Sequence, residues 1–323
     1  MLISYASRRA VVAVAAALAM MTPAASQSWP QRTVKFICPL GPGSGADLGA
    51  RLMAERLAKR WGQPVIVENR PGGDAIPAIN QFIGASDDHT LLFAPSSTFM
   101  AHPFLYAKLS YDPKELIPVV RLSETLTTLS VPTSLAVTNL AELVALARKE
   151  PGKLNWHALT SLNDMQTQAF GKFHRLEMVR VPYRDGTQAL NDLAENRIQL
   201  YSSSFAVVRP QVLAGKARPI AVTATQRAEA LPNVGTVREQ GYPELEFDGM
   251  VGVFALRVVP VGARERIAKD VIEFARDAEV VSRLTATAQI IKTAGPAEFA
   301  KALEVQRNNA VETVRLTGHK PAQ

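Results

Sequence analysis

The chain has 323 residues, 47% of them hydrophobic, with a single cysteine and a formal net charge of +7. That length supports a sizeable core and suggests two lobes more than one, while a lone thiol rules out an internal disulfide, so packing must carry stability. The positive balance raises nucleic acid as a partner, but no Lys/Arg block or basic stripe with interleaved aromatics occurs, and a mild field attracting small anions fits better.

Arg8 and Arg9 precede an uninterrupted apolar run, residues 10–21, which gives way to Thr22-Pro23-Ala24-Ala25-Ser26-Gln27. A basic start, a short apolar stretch and then small residues describe a secretory signal peptide, residues 1–27. The run is shorter than the about 20 residues of a membrane span, so an exported, periplasmic chain is expected. Cys38 sits in an apolar run and reads as core.

Beyond Trp29, β-rich runs alternate with helical stretches. Residues 33–38 predict a strand, and 46–60 a helix whose Ala50, Met53, Ala54, Leu57 and Trp61 form one apolar stripe. Glu55 and Lys59 form an i,i+4 pair on its wet side, and Gly62 ends it. Residues 65–67 and 90–94 predict further strands, separated by the turn Asn69-Arg70-Pro71-Gly72-Gly73. A second series begins near Thr127. Asn139 and Glu142 make a capping box for a helix burying Leu140, Leu143, Val144 and Ala147. Strands at 178–181, 198–201 and 219–223 alternate with helices at 187–195 and 205–214. A strand at 250–256, a helix at 264–277 and a helical tail from Pro296 follow. Strand–helix–strand order without hairpins predicts an α/β fold with mostly parallel sheets flanked by helices.

The bend Gly41-Pro42-Gly43-Ser44-Gly45-Ala46 joins the first strand to the first helix. It matches G-x-G-x-x-A, and Glu68 stands where a ribose-binding acid belongs, so an exported nucleotide-dependent enzyme is one reading. Pro42, however, lacks an N–H inside the loop that should donate to pyrophosphate, and no Gly-Lys-Ser/Thr makes a Walker loop. The general physics of a helix N-terminus survives: unpaired N–H groups and a partial positive charge suit a small anion. Asp47 would then cap the helix or fix loop N–H groups, since a free carboxylate would repel an anionic guest. A tight βα turn with no ligand is the remaining reading.

The run "WPQRTVKFICPLGPGSGADLGARLMAERLAKRWGQPVIVENRPGG" resembles the N-terminal signature of the Bug-type extracytoplasmic receptors of tripartite tricarboxylate transporters. "LSYDPKELIPVVRL", "PGKLNW", "VPYRDGTQALNDL" and "GVFAL" agree with it in order along the mature chain. The resemblance implies a two-lobed periplasmic binding protein of type II-like architecture, with 28–127 and 252–323 as the first lobe and 128–251 as the second. It implies a small carboxylate held between the lobes, no cofactor or metal, no catalysis, and delivery to membrane permease subunits; a copy that signals to a sensor instead is the alternative within the family. Carried over by position, the first-lobe contacts are Pro42, Gly43, Ser44, Gly45 and Asp47, with Ser96 and Ser97. The second-lobe helix start maps to residues 158–164, where Ser161 is kept. Ala158, Thr160 and Asp164 replace the glycines and histidine of the family pattern, and Ser203 replaces an acid. Those changes point to a reshaped pocket, for an aromatic monocarboxylate or a ligand with an amine facing Asp164. Arg184 is a candidate carboxylate partner. The five histidines show no metal-ligand spacing, and no nucleophile elbow occurs.

Overall fold

The computed structural model describes residues 29–183 and 186–317. The expected signal peptide and Arg184 lie outside the described residues.

Strand β1 (Val34–Cys38) leads through the glycine loop into helix α1 (Gly45–Trp61), followed by β2 (Val65–Asn69), α2 (Ile76–Ala85) and β3 (Thr90–Pro95). β1 lies between β2 and β3 and pairs parallel with both. The stripe expected on α1 is buried from Ala50 to Trp61. Each fully buried Leu or Met contributes about 1.5–3 kcal/mol, which outweighs propensity differences of under about 1 kcal/mol per residue. The helix ends where Gly62 adopts φ 68°, a conformation that costs glycine little.

A short helix, α3 (His102–Leu105), precedes β4 (Ile117–Thr125), and a single residue, Leu126, separates β4 from β5 (Thr127–Pro132). At that point the chain passes from one sheet to another. The second sheet grows through α4 (Leu140–Lys149), β6 (Leu154–Ala158), α5 (Ser161–Phe173) and β7 (Met178–Arg180). It continues with α6 (Gly186–Ala194), β8 (Leu200–Ser204), α7 (Phe205–Leu213) and β9 (Ala217–Val222). The chain then returns through β10 (Gly249–Ala255), α8 (Val261–Phe274), α9 (Ala278–Thr285), β11 (Gln289–Ala294) and α10 (Pro296–Thr317). The predicted helix over 264–277 stops earlier, because Asp277 caps α9 by accepting from the N–H groups of Glu279 and Val280.

The strand orders are β11-β4-β10-β3-β1-β2 and β7-β6-β8-β5-β9. Both sheets are mixed, which corrects the expectation of mostly parallel ones. β10 runs antiparallel to β3 and β4, and β5 antiparallel to β8 and β9. Neighbouring strands that carry the chain out of a lobe and back must oppose each other; parallel pairing survives inside the βαβ units. Thr127 pairs within the second sheet and Gly249–Val251 within the first.

The first sheet buries one face against α1 and α8, with Met53, Leu57 and Ile267, and the other against α2 and Phe299. The second packs Leu143, Trp156 and Phe170 on one side and Leu193, Tyr201 and Val208 on the other. α10 starts on the first sheet and crosses to α5, where Ala310 joins Leu162 and Met165. This places the N-termini of α1 and α5 at the two walls of one cleft.

Candidate functional site

The cleft has a volume of about 620 Å³ and is lined from the first lobe by residues 39–44 and 71–75, and from the second by residues 157–160 and by Asp164. The first wall is the glycine loop. Ser44 is the N-cap of α1, its hydroxyl accepting from the N–H of Asp47 at 3.3 Å. Asp47 is buried; its carboxylate accepts from the N–H of Gly43 at 2.9 Å, from Asn69 Nδ2 at 2.8 Å and from Arg51 Nε at 3.1 Å. It fastens the loop from behind and does not line the cleft. The N–H of Ser44 goes to the Gly41 carbonyl. The first-turn N–H groups of Gly45 and Ala46 have no partner among the described residues, as a helix start requires unless something caps it.

The opposite wall repeats the device. Thr160 caps α5, accepting from the N–H of Asn163, while the N–H of Asp164 goes to the Thr160 carbonyl. The N–H groups of Ser161 and Leu162 are left without a partner among the described residues. Two helix starts, each carrying a partial positive charge, thus meet the same cavity from different lobes.

Three charged side chains line the cleft among the described residues: Asp74, Asp164 and Arg180. Asp164 is paired, with Arg180 Nε 2.5 Å from Oδ1 and Gln168 Nε2 2.7 Å from Oδ2. Asp74 lies in the loop after β2, where Gly72, Gly73, Asp74 and Ala75 all have positive φ, 92°, 55°, 55° and 64°. Two consecutive non-glycine residues in that region mark stored strain of about 1–3 kcal/mol each. Asp74 Oδ2 accepts from the Tyr106 hydroxyl at 2.7 Å, and burial raises its pKa despite that bond. Behind it, His102 is fully buried, with Nδ1 2.6 Å from the Tyr111 hydroxyl and Nε2 3.8 Å from Asp74. His157, on the other wall, donates from Nδ1 to the Val181 carbonyl at 3.0 Å and meets the Tyr183 ring edge-on at 4.9 Å. Desolvation lowers both imidazoles to about 4, so both are neutral at pH 7.

Of the residues expected from sequence, Pro42, Gly43, Ser44, Thr160 and Asp164 line the cleft. Gly45 is set behind it; a Cβ there would collide with Nε2 of Gln289, so glycine is needed for packing. Ser96 and Ser97 are buried: the Ser96 hydroxyl donates to Gln306 Oε1, and the Ser97 carbonyl accepts from Ser161. Ser161 therefore ties α5 to the first lobe through the carbonyls of Ser97 and Thr98, at 3.3 and 3.1 Å. Ser203 is buried in β8, its hydroxyl directed to the Ser204 carbonyl. Sequence reading passed over Asp74, Tyr106 and Arg180. The only local signal is the glycine pair before Asp74, which reads as the close of a turn.

A family described as "Tripartite tricarboxylate transporter family receptor" matches residues 49–288, more than half of the chain. This chain belongs to that receptor family. A protein from the tcbD-tcbE intergenic region of Pseudomonas sp. (strain P51) is 29% identical over 298 residues, 90% of this chain and 88% of the relative. The structure of Rpa4515 from R. palustris with adipate superimposes with a TM-score of 0.84 at 26% identity, covering 91% of this chain and 100% of that one. MatC (Rpa3494) from Rhodopseudomonas palustris with bound malate gives 0.77 at 25% identity, covering 90% and 99%. The receptor therefore has the two-lobed, type II-like binding-protein fold, and it is a solute-binding protein and not an enzyme. The G-x-G-x-x-A reading falls for a physical reason as well. The Gly43 N–H that should meet a pyrophosphate is already held by Asp47, and Glu68 is engaged by Lys35, Arg70 and Gln81.

Proposed function

We propose that this receptor captures a small carboxylate in the periplasm and delivers it to the membrane permease of a tripartite tricarboxylate-type transporter. The observation that carries the reading is the convergence of the α1 and α5 starts on one cleft through their N-caps, Ser44 and Thr160, with two unpartnered N–H groups in the first turn behind each. An anion there is held by backbone donors fixed in place by Asp47 and Thr160, with Pro42, Gly43 and Ser44 shaping the first wall. Arg184 is the side-chain cation assigned to the second.

Magnitudes support the scheme. A micromolar dissociation constant needs about 8 kcal/mol, and hydrogen bonds to a charged group contribute about 1.5–3 kcal/mol each. Two donors from one lobe fall short; four from both reach about 6–12 kcal/mol, so with ordering costs of several kcal/mol a side-chain cation must add to them. Capture thus requires both lobes, divided at Leu126 and Asp248 in this reading, and closure about the β4–β5 and β10 crossings becomes the signal a permease reads. The carboxylates bound by the two R. palustris proteins support the ligand class.

Titration calorimetry of the mature chain, residues 28–323, against mono- and dicarboxylates tests this. One-to-one binding near or below micromolar is expected for at least one acid. Absence of binding across aliphatic, aromatic and amino-substituted carboxylates would overturn the proposal.

A further inference from the structure

We propose that Asp74 is the specificity-determining residue of the cleft, and that it selects a carboxylate which also carries an ammonium group. This rests on the receptor reading above and narrows its ligand class.

The charge arrangement leads there. Among the described residues lining the cleft, two are acids and one is a base. Arg180 is committed to Asp164 by a 2.5 Å contact, which satisfies the acid that sequence reading had offered to an amine. Asp74 has no such partner: its only contact with a basic side chain among the described residues is the 3.8 Å approach of His102, an imidazole buried and neutral. A dicarboxylate would bring two more negative charges beside an acid that has no ion pair with an Arg or Lys among the described residues. An amino-carboxylate places its anionic end at the helix starts and its cationic end at Asp74.

A second observation is independent of that count. His102 is fully buried, and its Nε2, which has no hydrogen-bond partner, stands 3.8 Å from Asp74 Oδ2, too far to hydrogen-bond it. The Tyr106 hydroxyl is the one hydrogen-bond donor to the Asp74 carboxylate among the described residues. Burial raises the Asp74 pKa against that one bond, and Oδ1 has no hydrogen-bond partner among the described residues, which leaves it open to a cationic group on the ligand whose charge would hold the acid ionised. The strained loop holds the carboxylate there: Asp74 keeps a φ of 55°, which few side chains other than Asp and Asn tolerate.

The test is calorimetry of the mature wild-type chain and of Asp74→Asn with matched ligands. The pairs are β-alanine with succinate, 4-aminobutyrate with glutarate, 5-aminopentanoate with adipate, and alanine, glutamate and phenylalanine with their amine-free counterparts. Asn keeps the left-handed backbone and removes only the charge; unchanged melting temperature confirms that the variant folds. In the tightest-binding pair the amine-bearing member is expected to bind at least tenfold better, and Asp74→Asn to abolish that advantage without weakening the amine-free member. The wild-type preference stands as a separate readout should the variant fail to fold. Tighter binding of the amine-free acid in every pair, or a preference that persists in Asp74→Asn, overturns the proposal and leaves the receptor reading intact. Diacid binding that strengthens as pH falls would show Asp74 acting as a protonated donor and overturns it too. Binding of no carboxylate of either kind overturns both readings.

Discussion

Replacing Asp47 by alanine removes the carboxylate that joins the glycine loop, β2 and α1. Asp47 is 1% exposed and accepts from Gly43 at 2.9 Å and Asn69 at 2.8 Å. Each such bond to a charged acceptor is worth about 1.5–3 kcal/mol. The Arg51 contact adds little, because that side chain is half exposed and screened. Part of the loss is recovered, since the Gly43 N–H is open to water and a buried charge no longer has to be desolvated. A net destabilisation of about 2–4 kcal/mol follows, which lowers the melting temperature by roughly 5–15 °C for a chain of this size. Ligand must then re-order the loop at about 1–2 kcal/mol per residue, so the dissociation constant should rise at least about tenfold. Differential scanning fluorimetry and calorimetry on the same samples measure both. If the variant melts within about 2 °C of wild type and binds carboxylate as tightly or more tightly, Asp47 acts as a charge repelling the ligand and its loop-fixing role is wrong.

Gly45→Ala should cost about 1–3 kcal/mol by overpacking, because Gln289, held by Ser123 and Thr125, must leave its place; chemical denaturation should show Gln289→Ala restoring most of the loss. Ser161→Ala removes the hydroxyl bridging to Ser97 and Thr98, worth about 1 kcal/mol; a few-fold weaker affinity and a larger radius of gyration by solution scattering are expected. His102 and His157 are held neutral, both lowered to about 4 from 6.5. Their folded pKa values lie below the unfolded ones, so the stability they represent is complete above about pH 6.5 and is lost as pH falls toward 4, about 3 kcal/mol for each. Asp74, raised by burial, works in the opposite direction. Urea denaturation at pH 7.5, 6 and 4.5 should give falling midpoints, with a shallower fall in His102→Gln; equal midpoints would contradict the assignment. Cys38 is buried and pushed up to about 12, so it should resist alkylation at pH 8 until the protein is unfolded.

The features legible in the linear chain are those whose cause is local. The stripe on α1 repeats every three to four residues, Asn139 does cap α4, and Ser44 and Asp47 stand beside the helix they secure. Even there, neighbours changed the detail. The Glu142 carboxylate turns to the N–H and hydroxyl of Thr138 instead of closing the predicted box on Asn139. β4 was not anticipated: it lies between β10 and β11 with α8 and α10 packed against it, so its burial is set by distant elements and not by an alternating pattern of its own.

By itself, the order of residues determined that strands would alternate with capped helices and that a glycine loop would open α1, because propensity, capping and hydrophobic periodicity act within a few positions. Only the tertiary structure decided what faces the ligand. Tyr106 reaches Asp74 across 32 positions and Arg180 reaches Asp164 across 16, while Gln289 fills the space beside Gly45 from the far end of the chain. Charge compensation and close packing depend on distance through space, and a chain that crosses twice between lobes brings together residues with no nearby signal of each other.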